Sequence, residues 1–403
     1  MWQVLLALLV ILGIVLFSQR ALLLRLKTFA DMRKPGQLAT SFRSIGLKLD
    51  SHVVSRAVQP CPLDRAAHAF DLPDAFVSEG VQVSTDEFLL STGATGMVVL
   101  HRGQVVLERY AQGMRPGDIQ MSFSVTKSIT STAVGLAIRD GLIQSVDDQV
   151  SWYLPELKGS GYDGVTLGDC LEMASATDFQ EDYEVGKPSD MPKFQKHFAL
   201  KKPFIDFMVN IGRHPDRTIG RFNGYSSIDA QAAGMCVSAA LQDCSLAEYV
   251  SRELWQPLGA EDDAYWLVDG AGIEMGAGGF CASARDLAKF GQLFLQKGRW
   301  GDRQVLPESW VYQATSPHAP HLMPGLRDDC LKPWGYGYLW WTPEFRYGSD
   351  YFASGIYNNY VYVNPEKQVV IANLAANEDF MTRPEQYKLN YVDLFQTIAK
   401  ALP

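Results

Sequence analysis

Cysteine is scarce in this chain, and what there is forms no metal-binding pattern. The six residues, Cys61, Cys170, Cys236, Cys244, Cys281 and Cys330, are scattered, with no C-x-x-C pair and no zinc-type Cys/His spacing. One or two disulfides remain compatible with an exported domain, so the redox compartment stays open. Basic charge is short as well: 36 Lys and Arg stand against 45 Asp and Glu, for a formal net charge of −9. That balance excludes nucleic acid as a partner, because binding a polyanion needs a basic face. Also missing are a G-x-S-x-G elbow, a G-x-G-x-x-G loop and a Walker lysine, and the seven histidines match no metal motif. A Ser-His-Asp elbow, a nucleotide cofactor and a resident metal are therefore not expected. There is no internal repeat and no low-complexity tract. What remains is an ordinary globular composition, 47% hydrophobic and 20% charged over 403 residues, enough for one large domain or two medium ones.

One long apolar run is present. Residues 2–17, WQVLLALLVILGIVLF, carry no charge and no polar face. At about 1.5 Å rise per residue the run is just short of a bilayer span, and including Ser18 and Gln19 lets it cross. It lacks the charged start and small-x-small site of a cleaved leader. We therefore expect an uncleaved single-pass membrane anchor over residues 1–20, with the membrane as a partner. Arg20, Arg25, Lys27, Arg33 and Lys34 follow it, and by the positive-inside rule this flank stays cytoplasmic. Residues 21–85, punctuated by Pro35, Gly36, Pro60, Pro62 and Pro73, read as a linker and N-terminal extension.

The main domain is expected over 86–403. GMVVLHRGQVVLERY reads as two strands around a His101–Gln104 turn, and YNNYVYVNPEKQVVIANLA as two more around Asn364–Lys367. The stretch from Met121 to Arg139, small and apolar throughout with Gly141 as a stop, reads as a helix buried nearly all round. Further helices are expected at 229–241, 245–255 and 284–298, with a loop-rich stretch from 150 to 220. Strands at both ends with helices between predict a mixed α/β (α+β) fold, an antiparallel sheet built from both ends of the domain plus a helical subdomain.

Ser124-Val125-Thr126-Lys127 is the centre of the chemical reading. A hydroxyl is a poor nucleophile until a base takes its proton, and residues three apart on a helix share a face. Lys127 can thus reach the Ser124 Oγ, and burial would lower its pKa toward that of a base. At a helix start, free N–H groups favour a developing oxyanion. The bland reading has weight: S-x-x-K arises by chance roughly once in a chain this long, and Ser124 also suits an N-cap. Against it, a charge in an otherwise apolar helix is costly without purpose. Tyr225, ahead of the helix IDAQAAGMCVSAAL, suits packing when taken alone, and a proton shuttle when taken with Ser124 and Lys127. Ser227 suits a helix cap or a place in the same network. His318 and His321 read as surface residues, the Glu181, Asp182 and Glu184 loop as solvated, and Gly276-Ala277-Gly278-Gly279 as a close backbone approach. Of Trp340 and Trp341, one is expected to wall a cleft and one to fill core.

With those residues in view, the chain resembles the class C β-lactamase and penicillin-binding-protein-like serine hydrolases, especially the 6-aminohexanoate-dimer hydrolase branch. SFSVTKSITSTAVGLAIRDGLI resembles the nucleophile-helix motif and RFNGYSSIDAQ the Tyr-x-Ser/Asn motif. LWQPLGAEDDAYWLVDGAGIEMGAGGFCASARDLAKFGQLFL and WGYGYLWW resemble family sequence as well, so the likeness runs from about Thr92 to the C-terminus. It implies a β-lactamase-like fold, a catalytic domain outside the membrane (the side opposite to that suggested by the basic flank), and acyl transfer by Ser124, Lys127 and Tyr225. The third motif departs from the family's Lys-Thr-Gly: Ala353-Ser354-Gly355-Ile356 carries no cation. The resemblance gives backbone oxyanion roles to Ser124 and to Gly355, with Ile356 next. Ser227, Tyr357, Asn358 and Trp341 are candidate substrate contacts. The implied activity is hydrolysis of a small amide or ester without a cofactor. Its rivals are a D-amino-acid carboxypeptidase or esterase on the same fold, and a non-catalytic binding or sensor domain.

Overall fold

In the computed structural model the described residues are Trp2, 20–345 and 347–403. The anchor expected over 1–20 falls outside that set, Trp2 and Arg20 excepted. Among the described residues no helix is long and apolar enough to cross a membrane.

The main sheet has seven antiparallel strands. They are β1 (Ala94–His101), β2 (Gln104–Tyr110), β3 (Gly335–Tyr336), β4 (Trp341–Thr342), β5 (Tyr351–Gly355), β6 (Asn359–Asn364) and β7 (Val369–Ala375). Their order is β3-β4-β5-β6-β7-β1-β2, so strands from both ends of the domain meet where β7 pairs with β1, Val370 opposite Leu100. Both hairpins expected from the sequence are there. At the first, Arg102 and Gly103 take left-handed φ of 52° and 80°, the backbone that a two-residue turn between twisted strands requires.

Alternation along β6 explains how two helices cover the sheet. Tyr360 and Tyr362 pack on one face against Phe395 of α7 (Pro384–Ala401). Val361 and Val363 point to the other face, toward Gly291 of α6 (Ala284–Leu295), where an added Cβ would lie 2.8 Å from Val361. Ser283 caps α6, accepting the Asp286 N–H. Helix α3 (Val125–Arg139) lies between β5 and α5 (Ser227–Ala240). Every residue of α3 from Val125 to Ala137 is buried, as its composition predicts. Burying Ile129, Val134 and Leu136 stabilises the helix by roughly 1.5–3 kcal/mol each.

Residues 21–85, expected as a linker and N-terminal extension, carry regular structure. They hold α1 (Arg20–Asp31), α2 (Leu38–Lys48), a strand at Ser51–Val54, and a hairpin of Ala75–Ser78 with Val81–Ser84. Ser51–Val54 completes a second, four-stranded sheet by pairing with Ala264–Leu267. Arg25 is buried, donating to Asp50 and to the Phe198 carbonyl at the end of α4 (Met191–Ala199), each at 3.1 Å. Ser78 ties the hairpin to Asp393 on α7 at 2.6 Å. The prolines punctuate an extension that folds onto the body.

Candidate active site

The expected helix from Met121 begins four residues later, and the delay puts Ser124 at its N-cap. Gln120 and Met121 pair with Ala282 and Cys281 in the second sheet, so they remain extended. Phe123 then turns the chain with a left-handed φ of 51°, uncommon for an aromatic residue. It is held there by rings of Phe42 and Tyr357, with centroids 4.8 and 5.0 Å away. Ser124 is the N-cap of α3 and makes no side-chain cap hydrogen bond. Its hydroxyl is left for other work.

Lys127 is 2% exposed. Its Nζ donates to Ser124 Oγ at 2.8 Å and to the Ala277 carbonyl at 2.6 Å, and lies 5.1 Å from the centre of the Tyr225 ring. Burial drives its pKa down to about 8, the charge of Glu181 opposing the shift. The Gly276–Gly279 stretch thus serves as the close backbone approach expected of it. Tyr225 is stacked on Trp341, centroids 5.2 Å apart. Burial pushes its phenol well above the ordinary value, with Glu181 adding to the rise and a hydrogen bond with Ser124 opposing it. The three residues named from sequence are brought together.

At the end of β5, an added Cβ on Gly355 would lie 2.3 Å from the Ser122 carbonyl oxygen and 3.2 Å from the Ser124 nitrogen. Only glycine lets β5 press against the start of α3. Ile356 follows it and lines both cavities that reach Ser124. Among the described residues, neither the Ser124 N–H nor the Ile356 N–H has a hydrogen-bond partner.

The other candidates divide. Trp341 lines the smaller cavity, while Trp340 is core, packed by Phe294 and Tyr351. Ser227 lines the larger cavity, but its N–H and Oγ both donate to Glu181, at 2.5 and 2.8 Å. Tyr357 and Asn358 are not in the lining of either cavity. They form the left-handed turn between β5 and β6, φ 63° and 70°. Tyr357 packs against Phe42 and Phe123. Asn358 is fully buried and accepts from Asn377 at 2.7 Å.

Two background readings are corrected. Glu181 is no solvated loop residue, since it accepts from Ser227 and Tyr183 beside Ser124. His321 is buried rather than at the surface, whereas His318 is exposed as expected; each ring is bonded to Glu172, at 3.0 and 2.9 Å. Sequence reasoning also missed Lys332, Glu385 and Lys388, which line the smaller cavity with Ser124 and Tyr225. No local motif marks them, because Lys332 lies just before β3 and Glu385 and Lys388 on α7, all far from Ser124 in sequence.

Comparison with known proteins agrees with this architecture. The family profile described as Beta-lactamase matches residues 75–391. A 6-aminohexanoate-dimer hydrolase from Paenarthrobacter ureafaciens is 27% identical over 355 residues, covering 85% of this chain and 86% of that protein. A Bacillus anthracis structure carrying a provisional 6-aminohexanoate-dimer hydrolase name superposes with a TM-score of 0.81 at 21% identity, covering 92% of this chain and 96% of that one. A class C beta-lactamase gives 0.55 at 15% identity, covering 79% and 94%. These structural likenesses carry the fold. The chain belongs to the Beta-lactamase family.

Proposed function

We propose that this member of the Beta-lactamase family is a serine hydrolase that cleaves small amides or esters through an acyl-enzyme on Ser124. The observation that carries the reading is the 2.8 Å contact between a buried amine, Lys127 Nζ, and the Ser124 hydroxyl at the mouth of two cavities.

The two pKa directions divide the labour. With a pKa of about 8, roughly a quarter of Lys127 is neutral at pH 7.5. Tyr225 is raised, so its phenol keeps its proton and cannot be the resting base. Neutral Lys127 therefore takes the Ser124 proton as Oγ attacks the carbonyl. The oxyanion accepts from the N–H groups of Ser124 and Ile356, with Gly355 providing the close approach that sets them side by side. Tyr225 then gives its proton to the leaving nitrogen or oxygen, and Lys127 ammonium restores it. The net transfer is the serine proton to the leaving group. Water retraces the path to release the acid. The Paenarthrobacter relative is by name a hydrolase of 6-aminohexanoate dimer, which supports a linear substrate.

Incubating the full chain with a fluorophosphonate probe and a p-nitrophenyl ester tests this. Turnover together with a label mapped to Ser124, both lost in Ser124→Ala, is expected. Turnover and labelling that persist in Ser124→Ala, or their absence from the wild-type chain, would replace the hydrolase with another site or with a binding domain.

A further inference from the structure

Two cavities converge on Ser124, and they differ in chemistry. The larger, about 360 Å³, runs between α1, α2 and α4, and its wall is mainly apolar: Phe29, Met32, Ile45, Leu49, Phe194 and Phe198. Arg33 and Gln195, joined by a 2.6 Å hydrogen bond, belong to the same lining. The smaller, about 60 Å³, is lined by Tyr225, Trp341, Lys332, Glu385 and Lys388. Lys388, on α7, is 9% exposed, and its Nζ lies 3.7 Å over the Trp341 ring. Among the described residues it forms no ion pair. The nearby Glu385 carboxylate is engaged elsewhere, with Lys332 at 2.9 Å and the Trp334 indole at 2.8 Å. On the facing wall, Glu181 is satisfied by Ser227 and Tyr183, and Asp182 accepts the Glu184 N–H at 2.9 Å. A nearly buried amine, drawn only at longer range by Glu385 and in direct contact with no carboxylate, thus lines a cavity that opens on the serine. Such a charge is costly unless an anion meets it.

Tyr225 decides which part of a substrate enters which cavity. It lines the smaller one and not the larger. The leaving group must lie against the group that protonates it, so it occupies the smaller cavity, and the acyl chain points into the larger.

We propose that the substrate is amphiphilic: an apolar acyl chain fills the cavity under α1, α2 and α4, and the leaving amine or alcohol carries a carboxylate held over Trp341 by Lys388. This rests on the Ser124 acyl-transfer reading and adds its substrate class, N-acyl or O-acyl conjugates of a small carboxylic acid. At about 360 Å³ against about 60 Å³, the larger cavity is the one with room for an extended chain. Each methylene it takes in is expected to raise kcat/KM about three- to fourfold until it is full. Part of this specificity would come from the N-terminal helices α1 and α2, which precede the residues matched by the family profile.

The test is a matrix of N-acyl amino acids with acyl chains of two to fourteen carbons, each as the free carboxylate and as the neutral primary amide. They are assayed with the full wild-type chain, Lys388→Gln and Ala30→Trp. Ser124 labelling by a fluorophosphonate is run on all three. For wild type we expect kcat/KM to climb with chain length and to favour carboxylate over amide tenfold or more. In Lys388→Gln that ratio should fall to within about twofold of one. In Ala30→Trp, which fills the apolar cavity from α1, the optimum should move to shorter chains. A flat wild-type matrix with Ser124 still labelled overturns the inference and leaves the acyl-transfer reading standing. Loss of labelling from wild type removes both.

Discussion

Gly355→Ala isolates the contact on which the site's geometry depends. The alanine Cβ would stand 2.3 Å from the Ser122 carbonyl oxygen, and real Cβ atoms keep at least 3.0 Å, so β5 and the start of α3 must part by about 0.7 Å. Gly355 is not among the glycines with positive φ, so alanine meets no backbone penalty and the effect is the contact alone. A shift of that size displaces the Ile356 N–H from the Ser124 N–H. Losing one oxyanion donor costs about 10²–10³ in kcat, and a misplacement near 1 Å about 10². Overpacking adds a stability loss of about 1–3 kcal/mol. We expect kcat on a p-nitrophenyl ester to fall ~100-fold with KM within about threefold of wild type, and the melting temperature by circular dichroism to drop by a few degrees. Wild-type kcat in a folded Gly355→Ala protein would refute the account of the oxyanion site.

Three further outcomes follow from the same geometry. Because the base is neutral Lys127, kcat/KM on a neutral ester should rise with pH, reach half its plateau near pH 8 and fall about tenfold per unit below pH 7; a flat profile from pH 6 to 9 would remove Lys127 as the base. Tyr225→Phe should cost ~100-fold or more on an unactivated amide, whose nitrogen must be protonated to leave, and less than about tenfold on a p-nitrophenyl ester, as parallel steady-state assays would reveal. Lys289→Met strips Asp286 and Glu261 of a fully buried cation, 3.4 and 3.1 Å away. Chemical denaturation should show a loss of about 3–5 kcal/mol, while kcat per folded molecule, set by a distant site, should hold.

How far the sequence could be read depends on how local each signal is. The hairpins at 101–104 and 364–367, the buried helix α3 and the helix at Ser227–Ala240 all show in short-range pattern, and all were found. The contact of Lys127 with Ser124 is legible in the same way, since a serine and a lysine one turn apart need only a helix to meet. The start of α3 was misplaced by four residues because Met121 owes its extended backbone to a strand 160 residues away. Helices α1 and α2 were missed because their apolar faces are complementary to α4 and the second sheet, which no local window contains. Asn358 and Tyr357 looked like cleft residues by position, and a left-handed turn takes their side chains into the interior. Lys388 was unreadable for the same reason as α1: only the crossover from β7 into α7 sets it beside Trp341.

The central claim is tested most directly by rapid quench of the full chain with a chromogenic ester, followed by intact-protein and peptide mass measurement. The account predicts one acyl group, carried on the peptide containing Ser124, appearing at the rate of the first product burst and absent in Lys127→Met. An acyl group on another residue, or steady turnover with no acylated protein at any time, would contradict it.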